Sequence, residues 1–349
     1  MSSFNRYIRN PDDHIYYNAL FNNDSGAQQQ AYFTETRTSP ILQNPSLYHL
    51  ALIRFSIPTY ALPIFPWPLL PNGSPNNNYY SFTFKYGATE FQSFLTYVSW
   101  ALPSSTPGIY TPQNFLDICN QALYDGHQYM IVNAPSYPGV NPPYLVLDTS
   151  TSNISLIADT NFLCTDNISS GIKLYSDFYL HRFFEPLPHI AIQVSGSKNI
   201  LYVIEPTGNN SVNSTPPIGV FGAITAYSMT TNYQVLQNWS ALKSILVVSN
   251  SLKTKEEYVQ TKRTLNQDSS LQIITDFEPN RLAPGSSREY QQYQADIYRY
   301  VDLTSTESIR TIDLQILWSD TNGNIYPLYI NPGDYFTIKL LLTKKDSIH

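Results

Sequence analysis

The sequence predicts an all-β fold, a sandwich of antiparallel strands, on three observations. Charged residues make up only 13% of the chain while Tyr and Pro number 28 and 25, a balance that favours strands and turns over helices. Apolar residues alternate with a period near two in several short runs, the spacing of a half-buried strand. Clusters of Asn, Asp, Gly, Ser and Pro separate those runs.

In chain order, Met1 to Pro11 reads as an extended arm, and His14 to Phe21 (HIYYNALF) as a first strand closed by the polar turn Asn22 to Gly26. Gln30 to Arg37 reads as a second. Tyr48 to Ile57 (YHLALIRFSI) is the strongest strand of the first half, with Leu50, Leu52 and Arg54 on one face and Ala51, Ile53 and Phe55 on the other. Apolar residues on both faces predict a central strand covered twice, with Arg54 paired or at a sheet margin.

Pro58 to Pro75 is rich in proline, which lacks the amide donor that a helix or central strand requires. Phe65, Trp67, Leu69 and Leu70 are interleaved with those prolines. Exposed, they would dock on a neighbouring subunit; folded back, they would cover the chain's own core. Tyr79 to Tyr86 (YYSFTFKY) follows as another strand. The one good helix begins at Thr111 as N-cap, with Pro112 at the first helical position and Phe115, Ile118, Cys119, Ala122 and Leu123 along one face. Gly126 is expected to end it.

Tyr144 to Leu147 and Ile154 to Ile157 predict a hairpin, and Ile190 to Val194 and Ile200 to Glu205 two more strands. A buried strand lies within Leu236 to Val248, and another in Leu271 to Asp276. The C-terminal stretch is the clearest: Ser308 to Trp318, a turn at Asp320 to Asn324, Ile325 to Ile330, a turn at Asn331 to Asp334, and Tyr335 to Thr343. Lys344 and Lys345 close it, a basic pair placed to reach a neighbour.

Chemistry is thin. The histidines His14, His49, His127, His181, His189 and His349 lack the spacing of a metal site, and neither nucleotide-binding glycine loops nor a nucleophile elbow occurs. Asp302 and Asp313 sit on strands where a sandwich could bring them together as a glycosidase pair, though nothing in their spacing requires it. Asp320, Asn322 and Asn324 around Gly323 imitate part of a calcium loop without its terminal glutamate, as a hairpin turn also does. No catalytic, cofactor or metal residue is therefore assigned, and the chain reads as a non-enzyme.

Net charge is −6, and the first fifty residues carry no basic arm for phosphate neutralisation, which argues against a specific nucleic-acid partner. No apolar run is long enough to span a bilayer, and no signal peptide is apparent at Met1. Cys119 and Cys164 have no metal spacing and are expected to be reduced and buried. Sequons such as those at Asn23, Asn153, Asn167 and Asn238 are expected by chance in a chain this rich in Asn and Ser.

Four segments carry a resemblance: SPILQNPSLYHLALIRFSIPTYALPIF (Ser39 to Phe65), LQNWSALKSILVVSNSL (Leu236 to Leu252), IITDFEP (Ile273 to Pro279) and IDLQILWSDTNGNIYPLYINPGDYFTIKLLLTKK (Ile312 to Lys345). In these the chain resembles the penton, or minor capsid, proteins of virophages and polinton-like double-stranded DNA viruses. The resemblance implies a jelly-roll β-sandwich formed by residues 1–109 and 223–349, with an inserted, partly helical β-rich domain at 110–222. It implies a structural capsid protein of the virion, made in the cytoplasm or nucleus of the host, that forms a homopentamer at icosahedral vertices beside a major capsid protein. Phe65, Trp67, Leu69, Leu70, Lys344 and Lys345 are the candidate subunit contacts. A host receptor or glycan is a further candidate partner. The alternatives are a single-jelly-roll major capsid protein, and a carbohydrate-binding sandwich using Trp67 or Trp100.

Overall fold

A computed structural model describes residues 14–58, 62–99, 107–166, 171–192, 199–232, 239, 242–255, 257–258, 270–278, 291–294, 299–321 and 323–345. The arm Met1 to Pro11, Trp100, Asn167, Asn238, Asn322 and His349 lie outside them.

Two antiparallel sheets form the jelly roll. One runs in the order His14–Asn22, Tyr335–Lys344, Tyr48–Ile57 and Gln291–Gln294, with Val301–Asp302 also on Tyr48–Ile57. The other runs Ile273–Phe277, Leu242–Val248, Thr311–Asp320 and Ile325–Pro327, with Tyr32–Thr36 also paired to Thr311–Asp320. Alternation decides what lies between them: Phe336, Ile338, Leu340 and Leu342 face Ile312, Leu314, Ile316 and Trp318 in one buried cluster. At Asp320 the chain reverses as a hairpin. Gly323 takes φ 82°, and the Asp320 carboxylate accepts from the Asn324 amide and side chain, both at 2.8 Å.

Tyr48–Ile57 breaks its own alternation. Leu340 pairs with Leu52 and Lys339 with Arg54, so Ile53 is left over as a β-bulge. One extra residue exchanges the two faces beyond it. Leu50, Leu52, Phe55 and Ile57 therefore all enter the core, and Arg54 turns to solvent, off the face predicted for it.

A second core gathers residues from Ile64 to Trp239. Its first sheet runs His189–Ala191, Ile200–Tyr202, Lys173–Ser176, Ser81–Tyr86 and Thr89–Phe94; its second runs Ser211–Ser214, Ile224–Thr230, Asn153–Asp159 and Tyr144–Asp148. The helix Pro112–Asn133 packs against both. Thr111 caps it, its Oγ1 accepting from the Asn114 amide at 3.1 Å. The helix runs through Gly126, which therefore does not end it. Glycine is required there because Phe84 presses on the helix backbone. The last turn closes where the Ala134 amide donates to the Met130 carbonyl at 2.9 Å.

Candidate functional site

The proline-rich loop divides its apolar residues between inside and outside. Phe65–Pro66 pairs with Gly108–Ile109 as a two-stranded ladder, which fixes the loop against the second core. Phe65 packs edge-on to Phe115 with ring centres 5.1 Å apart, and lies 4.6 Å from Phe183. Trp67 is 1% exposed, wedged beside Tyr80 and Tyr97, with its indole N–H donating to the Asn76 carbonyl at 3.2 Å. Both side chains cover the chain's own core, which leaves neither a surface to offer a neighbour or a glycan. Leu69 is half-buried, and Leu70 is exposed at the loop's outer turn. Of this loop's four candidates read from the sequence, only Leu69 and Leu70 keep surface for a contact. The pull of the aromatic cluster around Phe115 on Phe65 and Trp67 is a tertiary effect.

At the other candidate, Lys344 and Lys345 end the strand Tyr335–Lys344 half-buried. The Lys345 ammonium lies 3.0 Å from the Asp302 carboxylate, which His49 also approaches at 2.9 Å. The lysine, and to a lesser extent the histidine, hold the Asp302 carboxyl below its ordinary range.

The carboxylates that could have formed a catalytic pair are engaged separately. Asp302 stays with Lys345 and His49 at the surface. Asp313 is enclosed and accepts from Ser249 Oγ at 2.9 Å, the Asn250 amide at 3.1 Å and the Ser251 amide at 2.7 Å. Burial alone would raise its pKa, but these donors outweigh burial and hold it low. Such a carboxylate ties the loop after Leu242–Val248 to the neighbouring strand Thr311–Asp320. Asp320 is likewise spent on its own turn. Cys119 and Cys164 are both buried and unbonded to each other. Among the described residues no group of three or more His, Cys, Asp or Glu side chains could hold a metal.

Exposed large apolar side chains also stand outside the candidate contacts, two pairs among them. Tyr16 and Leu20 lie exposed on the edge strand His14–Asn22, and Phe178 and Tyr179 on the short helix Phe178–His181. Tyr16 and Leu20 are spaced by four residues on one strand face, a signal available from the alternation of HIYYNALF.

The family model for Sputnik minor capsid protein V18/19 matches residues 15–344. The structural protein V19 of Sputnik virophage is 29% identical over 209 residues, which is 57% of this chain and 92% of that protein. An uncharacterised Sputnik protein, V18, is 32% identical over 159 residues, 39% of this chain and 92% of its own length. Among solved structures, a chain of the Sputnik virophage cryo-EM structure superposes with a TM-score of 0.72 at 29% identity, covering 96% of this chain and 98% of that one. The mavirus penton protein shares the fold, with a TM-score of 0.65 at 14% identity over 95% of this chain and 99% of its own.

Proposed function

The chain belongs to the Sputnik minor capsid protein V18/19 family, and from that premise we propose that it forms a homopentamer at the vertices of an icosahedral virion. Family membership makes it a structural component of a capsid and not an enzyme. The step to five copies is supported by one observation, the likeness of fold to the mavirus penton along nearly the whole chain. A jelly roll offers its strand edges and loops to neighbours around a ring, where each contact joins unlike surfaces. The resemblance puts the inserted domain at 110–222; we extend it to the second core, from Ile64 to Trp239, because Ser81–Tyr86 and Thr89–Phe94 pair into that core's sheet and not into the jelly roll. Leu69, Leu70, Lys344 and Lys345 are then the candidate contacts whose side chains reach the surface. The neighbours are copies of this chain and a major capsid protein, and synthesis falls in the host cell.

Native mass spectrometry of the purified protein tests the reading. Five chains of 39.7 kDa give a closed species of about 200 kDa. A protein that stays monomeric both alone and mixed with its major capsid protein would rule out the vertex role. A specific glycan bound by such a monomer would favour the carbohydrate-binding alternative.

A further inference from the structure

Two histidines are buried in the second core, His127 at 0% exposure and His181 at 5%. Each has one ring nitrogen enclosed by protein with no hydrogen-bond partner, Nε2 of His127 and Nδ1 of His181. The other contacts of these rings answer a positive charge only in part: at His127 the Asp159 carboxylate and the Val140 backbone favour it, and burial outweighs both. His127 Nδ1 meets the Tyr137 hydroxyl at 3.0 Å. The remaining titratable group facing it, Asp159, accepts from the amides of Val140, Asn141 and Asn161 at 2.9, 3.1 and 2.7 Å. The His181 ring lies against His189, with centres 4.3 Å apart. Tyr202 stands behind it, and Asp177, at the start of its own helix, accepts from Leu180 and Ser81. An imidazolium in either position would be buried without a carboxylate bonded to it, and at His181 it would press on a second imidazole.

The jelly roll is built differently. Its described histidines, His14 and His49, are only half-buried, and His49 already faces the Asp302 carboxylate.

We propose that the second core is an acid-released module, which loosens as His127 and His181 take up protons while the jelly roll stays closed. Burial pulls both imidazoles from 6.5 to about 4, with His189 adding to the effect at His181. The folded state then binds fewer protons than the unfolded one, so this contribution is complete above pH 6.5 and is lost as pH falls toward 4. Asp177 works in the opposite direction, since burial raises its pKa and its protonation favours the folded form. The two histidines outnumber it. In the jelly roll, Glu35, Asp302 and Asp313 have lowered pKa values, so their contribution persists until the pH drops below the ordinary carboxylate values of 4.5 and 3.8. At pH 5 the histidine contribution is being lost while that of these carboxylates is largely intact.

Hydrogen–deuterium exchange on the full chain, at about pH 7.5 and about pH 5 and corrected for intrinsic rates, reads this directly. At pH 5 each histidine lowers the protection of its core by about 30-fold. Amides of Pro112–Asn133, Ser81–Tyr86 and Lys173–Ser176 lose protection accordingly, while Tyr48–Ile57 and Tyr335–Lys344 keep theirs. His181→Phe removes one of the two titrations and roughly one such factor. Should that variant fail to fold near neutrality, the wild-type comparison decides alone. Equal acceleration in both cores, or none in the second, overturns the proposal.

Discussion

Gly126 and Phe84 meet so closely that a methyl group on the glycine would sit 2.4 Å from the ring's Cε2. The contact joins the helix Pro112–Asn133 to the strand Ser81–Tyr86, and it explains a glycine in mid-helix. Gly126→Ala gains about 1 kcal/mol of helix propensity. It loses more, because the ring is fully buried and cannot withdraw; overpacking of this kind costs about 1–3 kcal/mol. We expect a net loss of up to about 2 kcal/mol in urea unfolding. A variant as stable as the parent would mean that Phe84 has room to move.

Trp67 and Leu70 stand three residues apart and should respond oppositely. Trp67→Ala opens a cavity beside Tyr80 and Tyr97 and is expected to cost about 3–5 kcal/mol of protomer stability. Leu70→Lys should leave stability within about 0.5 kcal/mol. If Leu70 lies in a subunit contact, the same change weakens assembly by about tenfold, the equivalent of about 1.4 kcal/mol. Unfolding curves and ring yield, measured on both variants, separate the two roles. A Leu70→Lys protein that assembles normally removes that residue from the contact.

Asp313 carries a pH dependence with a definite sign. Its folded pKa lies below the ordinary 3.8, so its stabilisation is present above that value and disappears as pH falls through the lowered one. Asp313→Ala strands the donors of Ser249 and Ser251 and should cost about 1–3 kcal/mol at neutral pH. The variant should also show a flatter acid limb, followed by the fluorescence of Trp318 in the same core. An unchanged acid limb would assign that dependence to other carboxylates, Asp302 among them.

At the hairpin, Gly323→Ala forces a side chain into φ 82°. The penalty should be about 1 kcal/mol. Thermal unfolding measures it, and a neutral result would show that the turn relaxes to another type.

Much of the jelly roll was legible because its strands are long and one face of each is dry. Tyr48–Ile57 matches the run predicted for it residue for residue, and the turns at Gly323 and Gly333 follow from glycines at positive φ. The helix start was equally plain, since Thr111 and Pro112 act locally. The helix end was misread because a glycine needed for close approach looks the same in sequence as one needed for a cap. The bulge at Ile53 left no mark either, being a property of the pairing with Tyr335–Lys344 and not of the strand itself. The same limit applies to Ser81–Tyr86, whose partner Lys173–Ser176 lies far along the chain. For the candidate contacts, exposure followed from which rings the second core drew inward, and nothing local to Phe65 or Trp67 announces that.

The pairing of His14–Asn22 with Tyr335–Lys344 has a bearing on how the molecule is made. The strand His14–Asn22 must wait for a partner that lies far later in the chain, and its neighbour Tyr48–Ile57 waits for the same strand. The second core, complete once Trp239 has appeared, has no such delay. During translation the second core can therefore close first, as a folded bead on an open thread. The late strand then zips the capsid-forming sheet shut in a slow, long-range step. Until it does, the edge of Tyr48–Ile57 lies bare to neighbouring nascent chains, and crowded synthesis is where mispairing would be felt most.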